Sequence, residues 1–413
     1  MPSAKPKLLF LAHLLPWPLH GGGQIKSYHT LKRLAPHFDI TLLAFIRQES
    51  ERQNCEPLLS LCTGGVQTVR LPRGPWQNLA AAFRAAVAGS SLFIERDASS
   101  VMQSAVHSTL QTDLWAAVHA DHLQMMAFVP SLLSGISLPK IVLDQHNVEH
   151  HLLRQLAESG QGASPLLRLI ARWDWSRLRR FEQNACRRAD CVLAVSDEDA
   201  HAFTELIGED VADGKVRVTP IGVDTDYFSP GTVVPGPILS VGTMYWPPNV
   251  DAVRWFSAEI LPAIRQYLPD VQFQIVGAKP TQSVLALAEA QPGVVTVTGT
   301  VSDVRAFMAA CGVFVVPLRA GSGMRVKILQ AMAMGLPIVS TTIGAEGIAV
   351  TNEENILLAD TPQAFADAVV RVLTDATLAE RLGRSARALA ERQYSWDVVG
   401  ESLLSVYREL GLL

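Results

Sequence analysis

The chain has 413 residues, 48% hydrophobic and 18% charged, with a formal net charge of −4. That length is too great for one ordinary core and suits two domains of comparable size. The balance fits a folded α/β protein and argues against extensive disorder, and the weak negative charge gives no general reason to expect nucleic acid as a partner. Five scattered cysteines (Cys55, Cys62, Cys186, Cys191, Cys311) lack the close pairs of a zinc site and fit a reducing cytoplasm.

The N-terminal MPSAKPKLLFLAHLLPWPLHGGG has a short apolar run broken by Pro16, Trp17 and Pro18, without the small-residue cleavage pattern of a leader. It predicts a buried strand over Lys7–His13, the glycines Gly21, Gly22 and Gly23, then a helix from about Gln24 to Leu34. Further strands are predicted near Ile40–Phe45, Val66–Leu71, Ala116–Ala120, Ile141–Asp144 and Cys191–Val195, with a long basic helix over 165–188. Proline and glycine then cluster over 220–237, which reads as the crossing linker.

The second half restarts at Pro237–Gly242, with a helix from about Val250 to Tyr267. Strands follow near Val271–Val276, Val294–Thr298, Val313–Val316, Pro337–Ser340 and Ile356–Leu358. A last amphipathic helix begins at Ser395, with Val398, Leu403, Leu404 and Tyr407 on its apolar side. Strands alternating with helices imply parallel sheets, and two starts imply two of them. The expected domains are 1–230 and 231–394, with 395–413 packing back on the first. No segment approaches the ~20 apolar residues of a membrane span, so any membrane is met from its surface. The expected location is the cytoplasm, with peripheral contact at the inner face of the membrane as an extension.

The richest stretch is Val316–Thr342, VPLRAGSGMRVKILQAMAMGLPIVSTT. A strand ends in a proline, a Gly/Ser turn follows, and a helix opens whose first positions carry Arg325 and Lys327. Backbone N–H groups at a helix start, reinforced by two cations, suit a phosphate-bearing ligand. The plainer reading is a pair of solvated charges. Cations oppose the dipole at a helix start, which favours the functional one.

These passages together resemble retaining glycosyltransferases of the GT-B fold, in particular glycosyltransferase family 4. The resemblance rests on HGGGQIKSYHTLKRLA, LDQHNVEHH, ADCVLAVSDEDA, TPIGVDTDYFSP, ILSVGTMYWPPNVDAVRWF and the 316–342 stretch, in that order over nearly the whole chain. GSGMRVKILQAMAMGLPIVST and GTMYWPPN are similar to sugar transferases of bacterial exopolysaccharide clusters. The resemblance implies two Rossmann-like, doubly wound domains facing a cleft. It also implies transfer of a sugar from a UDP- or GDP-type donor to a glycan or lipid-linked acceptor with retention of configuration.

Two departures matter. The family pattern has two glutamates separated by seven residues, and here those positions hold Ser322 and Gln330. Gln330 can still accept a ribose hydrogen bond through its amide oxygen, whereas Ser322 is short and neutral. Many members also place an arginine and a lysine after the strand at 238–242, where this chain has Thr243–Asn249 (TMYWPPN) with neither. Arg325 and Lys327 offer the missing charge from another loop.

The resemblance places His146 near the sugar or acceptor, and an imidazole there could bond a hydroxyl or help move a proton; the alternative is a loop histidine capping a turn. His150 and His151 read as helix-face residues. Gly22, Gly23 and Gly242 would let backbone approach the donor, with Gly323 and Met324 of the turn beside it; the triplet Gly21–Gly23 could equally be a flexible turn. Glu346 is a further candidate acceptor for the donor, or a surface carboxylate. Asp224-Thr225-Asp226 matches a D-x-D metal signature but lies in the linker, so no metal and no cofactor are expected. The arginines of 165–188 with Trp173 and Trp175 suit an anionic membrane surface, or simply a solvated helix face. Loss of both glutamates motivates an alternative, a non-catalytic nucleotide-sugar-binding protein of a polysaccharide assembly complex. A nucleotide-sugar epimerase is a third reading.

Overall fold

The computed structural model describes residues 5–19, 21–132, 139–159, 165–231, 236–321 and 323–413. It divides into two compact units, Met1–Pro220 with Gly400–Leu413, and Ile221–Val399.

The first unit is built on a seven-stranded sheet in the order β3-β2-β1-β4-β5-β6-β7. Its strands are β1 (Lys7–Ala12), β2 (Asp39–Ile46), β3 (Gly65–Arg70), β4 (Ala117–Asp121), β5 (Lys140–Asp144), β6 (Cys191–Ala194) and β7 (Val216–Val218). All pairings are parallel. Both faces are covered, so the strands read as unbroken apolar runs. Side chains alternate between the two faces: Leu9 and Leu11 join one core, Leu8, Phe10 and Ala12 the other. β7 was not anticipated, because three residues are too short for a periodic signal.

The second unit has six parallel strands in the order β10-β9-β8-β11-β12-β13. They are β8 (Ile238–Val241), β9 (Phe273–Val276), β10 (Val295–Val297), β11 (Val313–Val316), β12 (Ile338–Ser340) and β13 (Leu357–Leu358). Both sheets have the doubly wound order, in which connections leave the central pair in opposite directions. The crevice at the carboxyl ends of that pair is where such sheets bind ligands. It lies between β1 and β4 in one unit and between β8 and β11 in the other.

Three expectations are corrected. Residues 221–230 belong to the second unit, not to the first domain or a linker. Val223 bridges Ser395, and the Ile221 N–H donates to Met324 Sδ at 3.3 Å. The helix expected over 250–267 begins at Pro247, and a wider-wound turn over Phe256–Ile260 precedes Pro262. On the last helix, Trp396–Glu409, Val398 is exposed; Val399, Leu403, Leu404 and Tyr407 form the buried face. A residue five positions from Leu403 lies about 140° around the helix from it, whereas four positions bring Val399 onto the same side.

The second sheet is closed tightly at its functional end. A Cβ built on Gly277, just past β9, would sit 1.6 Å from the carbonyl oxygen of Gly242, just past β8. Backbone cannot yield as a flexible side chain does. Gly277→Ala is therefore expected to lower the stability of this unit by about 1–3 kcal/mol, read as an earlier calorimetric unfolding transition. An unchanged transition would mean that the two strand ends separate freely.

Candidate functional site

The first unit gathers charge at the carboxyl ends of its central strands. Asp121 closes β4 and Asp144 closes β5, and the two are register partners. The helix Gly22–Leu34, which follows β1, brings Lys26 and Ser27 to them. Lys26 Nζ donates to Asp144 Oδ1, with both side chains essentially removed from water. Ser27 Oγ donates to Asp121 Oδ2 at 2.7 Å. Behind Asp144, His119 Nε2 lies 3.5 Å from Oδ2, and its Nδ1 meets the Tyr407 hydroxyl at 2.8 Å. Burial alone would raise the Asp144 carboxyl; Lys26 and the histidines overcome it and hold the pKa at about 2.

His146 Nε2 lies 2.9 Å from Asp121 Oδ1, and His122 Nδ1 lies 3.2 Å from Oδ2. The two ring planes are tilted by 32°, with centroids 3.7 Å apart. Two imidazolium ions cannot share that space, and the protonation states divide. Burial and the neighbouring His122 push His146 down to about 4. Burial also opposes charge on His122, but the Asp121 carboxylate prevails and raises it. Asp121, despite burial, is held well below the carboxylate range by both histidines. His146 is thus neutral at pH 7, its Nε2–H facing Asp121. Its Nδ1 is a buried acceptor with no hydrogen-bond partner among the described residues.

The backbone fits this pair closely. A Cβ on Gly23 would stand 3.2 Å from His122 Nε2 and 3.5 Å from His146 Nδ1. The glycine run is therefore not a loose loop: the helix begins at Gly22, with Gly21 as its extended cap. His122 holds a φ of +79°, an uncommon conformation for a side-chain-bearing residue. The loop after β5 is pinned by buried Glu182, which accepts from Gln145 Nε2, the N–H groups of Glu149 and His150, and His150 Nδ1. Both histidines lie on the helix Glu149–Ser159, as expected; His150 is its buried anchor, while His151 is exposed.

In the second unit, the helix Val326–Ala333 follows β11, with Arg325 as its cap residue. Gly335 (φ +67°) ends it: its own N–H reaches Met332 O, and the Leu336 N–H reaches Ala331 O. This is the Schellman pattern, which leaves few carbonyls unpaired. Lys327 Nζ crosses to the neighbouring strand end and donates to Val241 O at 2.9 Å and Asn249 Oδ1 at 3.1 Å. Asn249 Nδ2 in turn donates to Thr243 O at 3.1 Å. Both partners of the ammonium are neutral. Burial, with Arg325 adding to it, pushes Lys327 down from 10.5 to about 7. Burial also lowers Arg325, which the Glu346 carboxylate partly offsets. The result is a buried lysine whose charge is disfavoured beside a guanidinium that keeps its own.

The remaining expected residues fall as follows. Gly242 packs on Asn249, where a Cβ would meet its amide at 2.8 Å. Gly323 has a φ of +80°. Met324 is buried and turned toward Ile221, which leaves only its backbone to offer a ligand. Gln330 is half-buried and its amide has no hydrogen-bond partner among the described residues; Glu346 is exposed. Ser322 lies outside the described residues. The Asp224 carboxylate caps its own turn through the N–H groups of Asp226 and Tyr227. Among the described residues, the groupings with metal-ligand spacing are Asp121–His122–His146 and His119–Asp121–Asp144. Lys26, His119, Asp121, His122, Asn249 and Glu182 were missed from sequence. The available signal was position: an aspartate or histidine closing a buried parallel strand stands at the ligand end of the sheet.

Residues 107–227 match the family model described as Glycosyltransferase Family 4, and residues 236–375 match Glycosyl transferases group 1. A sucrose-phosphate synthase from Thermosynechococcus elongatus superposes with a TM-score of 0.68 at 19% identity, covering 98% of this chain and 99% of the other. The fold is GT-B. The Anabaena HepE structure in complex with UDP-glucose superposes with a TM-score of 0.64 at 17% identity, covering 99% and 100% of the two chains. Among curated relatives, a phosphatidyl-myo-inositol mannosyltransferase of Mycobacterium tuberculosis is 27% identical over 226 residues. That match covers 52% of this chain and 58% of the relative's own length. Both charged strand ends lie at the carboxyl ends of their own parallel sheets, the end at which doubly wound sheets bind ligands.

Two measurements check this electrostatics. Replacing Asp144 by Asn leaves Lys26 buried against a neutral partner, and a loss of about 3–5 kcal/mol in chemical denaturation is expected; a loss under 1 kcal/mol would show that water reaches the pair. Lys327 should titrate near pH 7 by NMR of its side-chain carbons. Its folded pKa is depressed, so the unfolded chain binds the extra proton between pH 7 and 10.5. This group's contribution to stability therefore rises with pH across that window.

Proposed function

We propose that the protein is a retaining glycosyltransferase that moves a sugar from a UDP- or GDP-type donor to a hydroxyl of a glycan or lipid-linked acceptor, in polysaccharide biosynthesis. The observation that carries the reading is the Lys327–Arg325 pair at the β8/β11 strand ends, held by neutral acceptors inside the Glycosyl transferases group 1 match. The UDP-glucose complex of HepE supports a nucleotide-sugar donor, and the mycobacterial relative's name supports a lipid acceptor. The basic helix Pro165–Arg188 is the candidate for peripheral membrane contact.

In this reading Arg325 and Lys327 offset the charge that grows on the diphosphate as the bond from the anomeric carbon to the phosphate oxygen breaks. The acceptor oxygen forms its new bond on the same face, and its proton passes to a phosphate oxygen of the leaving group. Gln330 holds the ribose, with Gly242, Gly323 and Glu346 around the donor. Neutral His146, oriented by Asp121, positions the sugar, and Gly22 and Gly23 bring backbone close to it. No metal takes part in these steps. The competing reading, a donor-binding protein without transfer activity, is favoured by Ser322 and Gln330 standing where the resembling enzymes carry glutamates.

The deciding experiment is calorimetric binding of UDP-, GDP-, ADP- and dTDP-sugars, followed by acceptor screening with NMR of the product's anomeric centre. One donor should bind, and Arg325→Ala should weaken it about 10–100-fold. A diphosphate favours the charged lysine, so binding should take up a proton above pH 7. Affinity should fall by up to tenfold per pH unit there and stay flat below it; Lys327→Met should abolish that slope. An inverted product would reject the retaining mechanism. Donor binding without turnover of any acceptor would favour the non-catalytic reading.

A further inference from the structure

The helix Pro75–Ala88 in the first unit is turned inside out. It buries only Ala81 and Ala85. Its large apolar side chains face outward, with Trp76 79%, Leu79 61%, Phe83 70% and Val87 73% exposed. At 100° per residue these four fall within an arc of about 80°, opposite the two buried alanines. A core-facing helix would show the reverse pattern. A single exposed leucine needs no explanation, but a continuous stripe along a helix about 21 Å long marks a surface that is covered in use.

The charge beside the stripe says what covers it. Gly89, which ends the helix in a left-handed conformation, lines a cavity of about 460 Å³ together with Ser90, Arg177, Arg180, Arg188 and one carboxylate, Glu95. Arg177 stacks over Trp173 at 3.9 Å and donates to the Trp173 carbonyl, Arg180 reaches the Ser176 carbonyl, and Arg188 donates to Val129 O. None of these three arginines is in an ion pair among the described residues. The acids nearby are already engaged. Asp174 is buried and accepts from Ser91 Oγ and the N–H groups of Leu92 and Phe93, and Glu95 is paired with Arg84. Asp97 is paired with Arg73 and His13.

We propose that this helix docks on an anionic phospholipid bilayer. Trp76, Leu79, Phe83 and Val87 enter the interface, and the cavity of Arg177, Arg180 and Arg188 receives a lipid phosphate. An apolar stripe beside cations without acidic partners matches the two layers such a surface presents, acyl chains under phosphates. The inference goes beyond the basic helix alone and does not depend on the donor chemistry of the second unit.

The test is flotation of the full chain with vesicles of phosphatidylcholine alone and of phosphatidylcholine mixed with phosphatidylglycerol. Association with the mixed vesicles only, weakening with salt, is the expected result. Trp76→Glu/Phe83→Glu should reduce it at least tenfold, and Arg177→Ser/Arg180→Ser about twentyfold. All four positions lie at the surface, so circular dichroism and nucleotide-sugar binding should be unchanged in both variants. No association of the wild type, or association unaffected by either pair of substitutions, would overturn the proposal. So would a concentration-dependent dimer that Trp76→Glu/Phe83→Glu dissolves without any vesicle binding, which would assign the stripe to a second copy. Failure of donor binding in the wild type, with vesicle binding intact, would instead count against the transferase reading alone.

Discussion

An ammonium and a carboxylate buried together hold the functional end of the first sheet. Lys26 and Asp144 lie almost wholly out of water, and removing either would leave the other as a buried charge without its closest partner. Because Asp144 is the register partner of Asp121, fixing one strand end fixes its neighbour. Because Ser27 follows Lys26, the same helical turn also bonds Asp121. The Asp121–His146 contact and the close seat of Gly23 under both histidine rings follow from that single docking of helix onto strands.

The two units share a topology and treat charge in opposite ways. In the first, Asp121 and Asp144 each have a cationic or hydrogen-bonding neighbour, while His146 Nδ1 remains a buried acceptor with no partner among the described residues. In the second, Lys327 has only a carbonyl and an amide oxygen, and Arg325 adds repulsion. One site is organised by paired charges; in the other the lysine rests on neutral oxygens. Low dielectric strengthens the pairing in one and the repulsion in the other.

Much of the fold was readable because parallel strands covered on both faces leave unbroken apolar runs, as in KLLFLA and VFVV. β7 escaped because three half-buried residues carry no such run. The 221–230 segment misled because proline and glycine report local turns, whereas its membership is set by tertiary bonds to Met324 and Ser395. Arg325 and Lys327 stood out by their place at a glycine-rich helix start. Lys26 did not, since a lysine in a helix reads as solvated until a distant aspartate is seen to face it. Glu182 and Tyr407 are harder still: their partners lie 32 to 37 and 288 residues away.

The Tyr407 contact bears on how the chain is made. The last fourteen residues complete the first unit, where Tyr407 fills the core beside Phe38 and bonds His119. The N-terminal sheet is translated before this segment, with the whole second unit in between. The part of that core which Leu403, Leu404 and Tyr407 fill therefore stays open until the second unit has been translated, while Leu31 and Leu34 already cover the rest. The second unit, continuous in sequence, can close while the first is still unfinished.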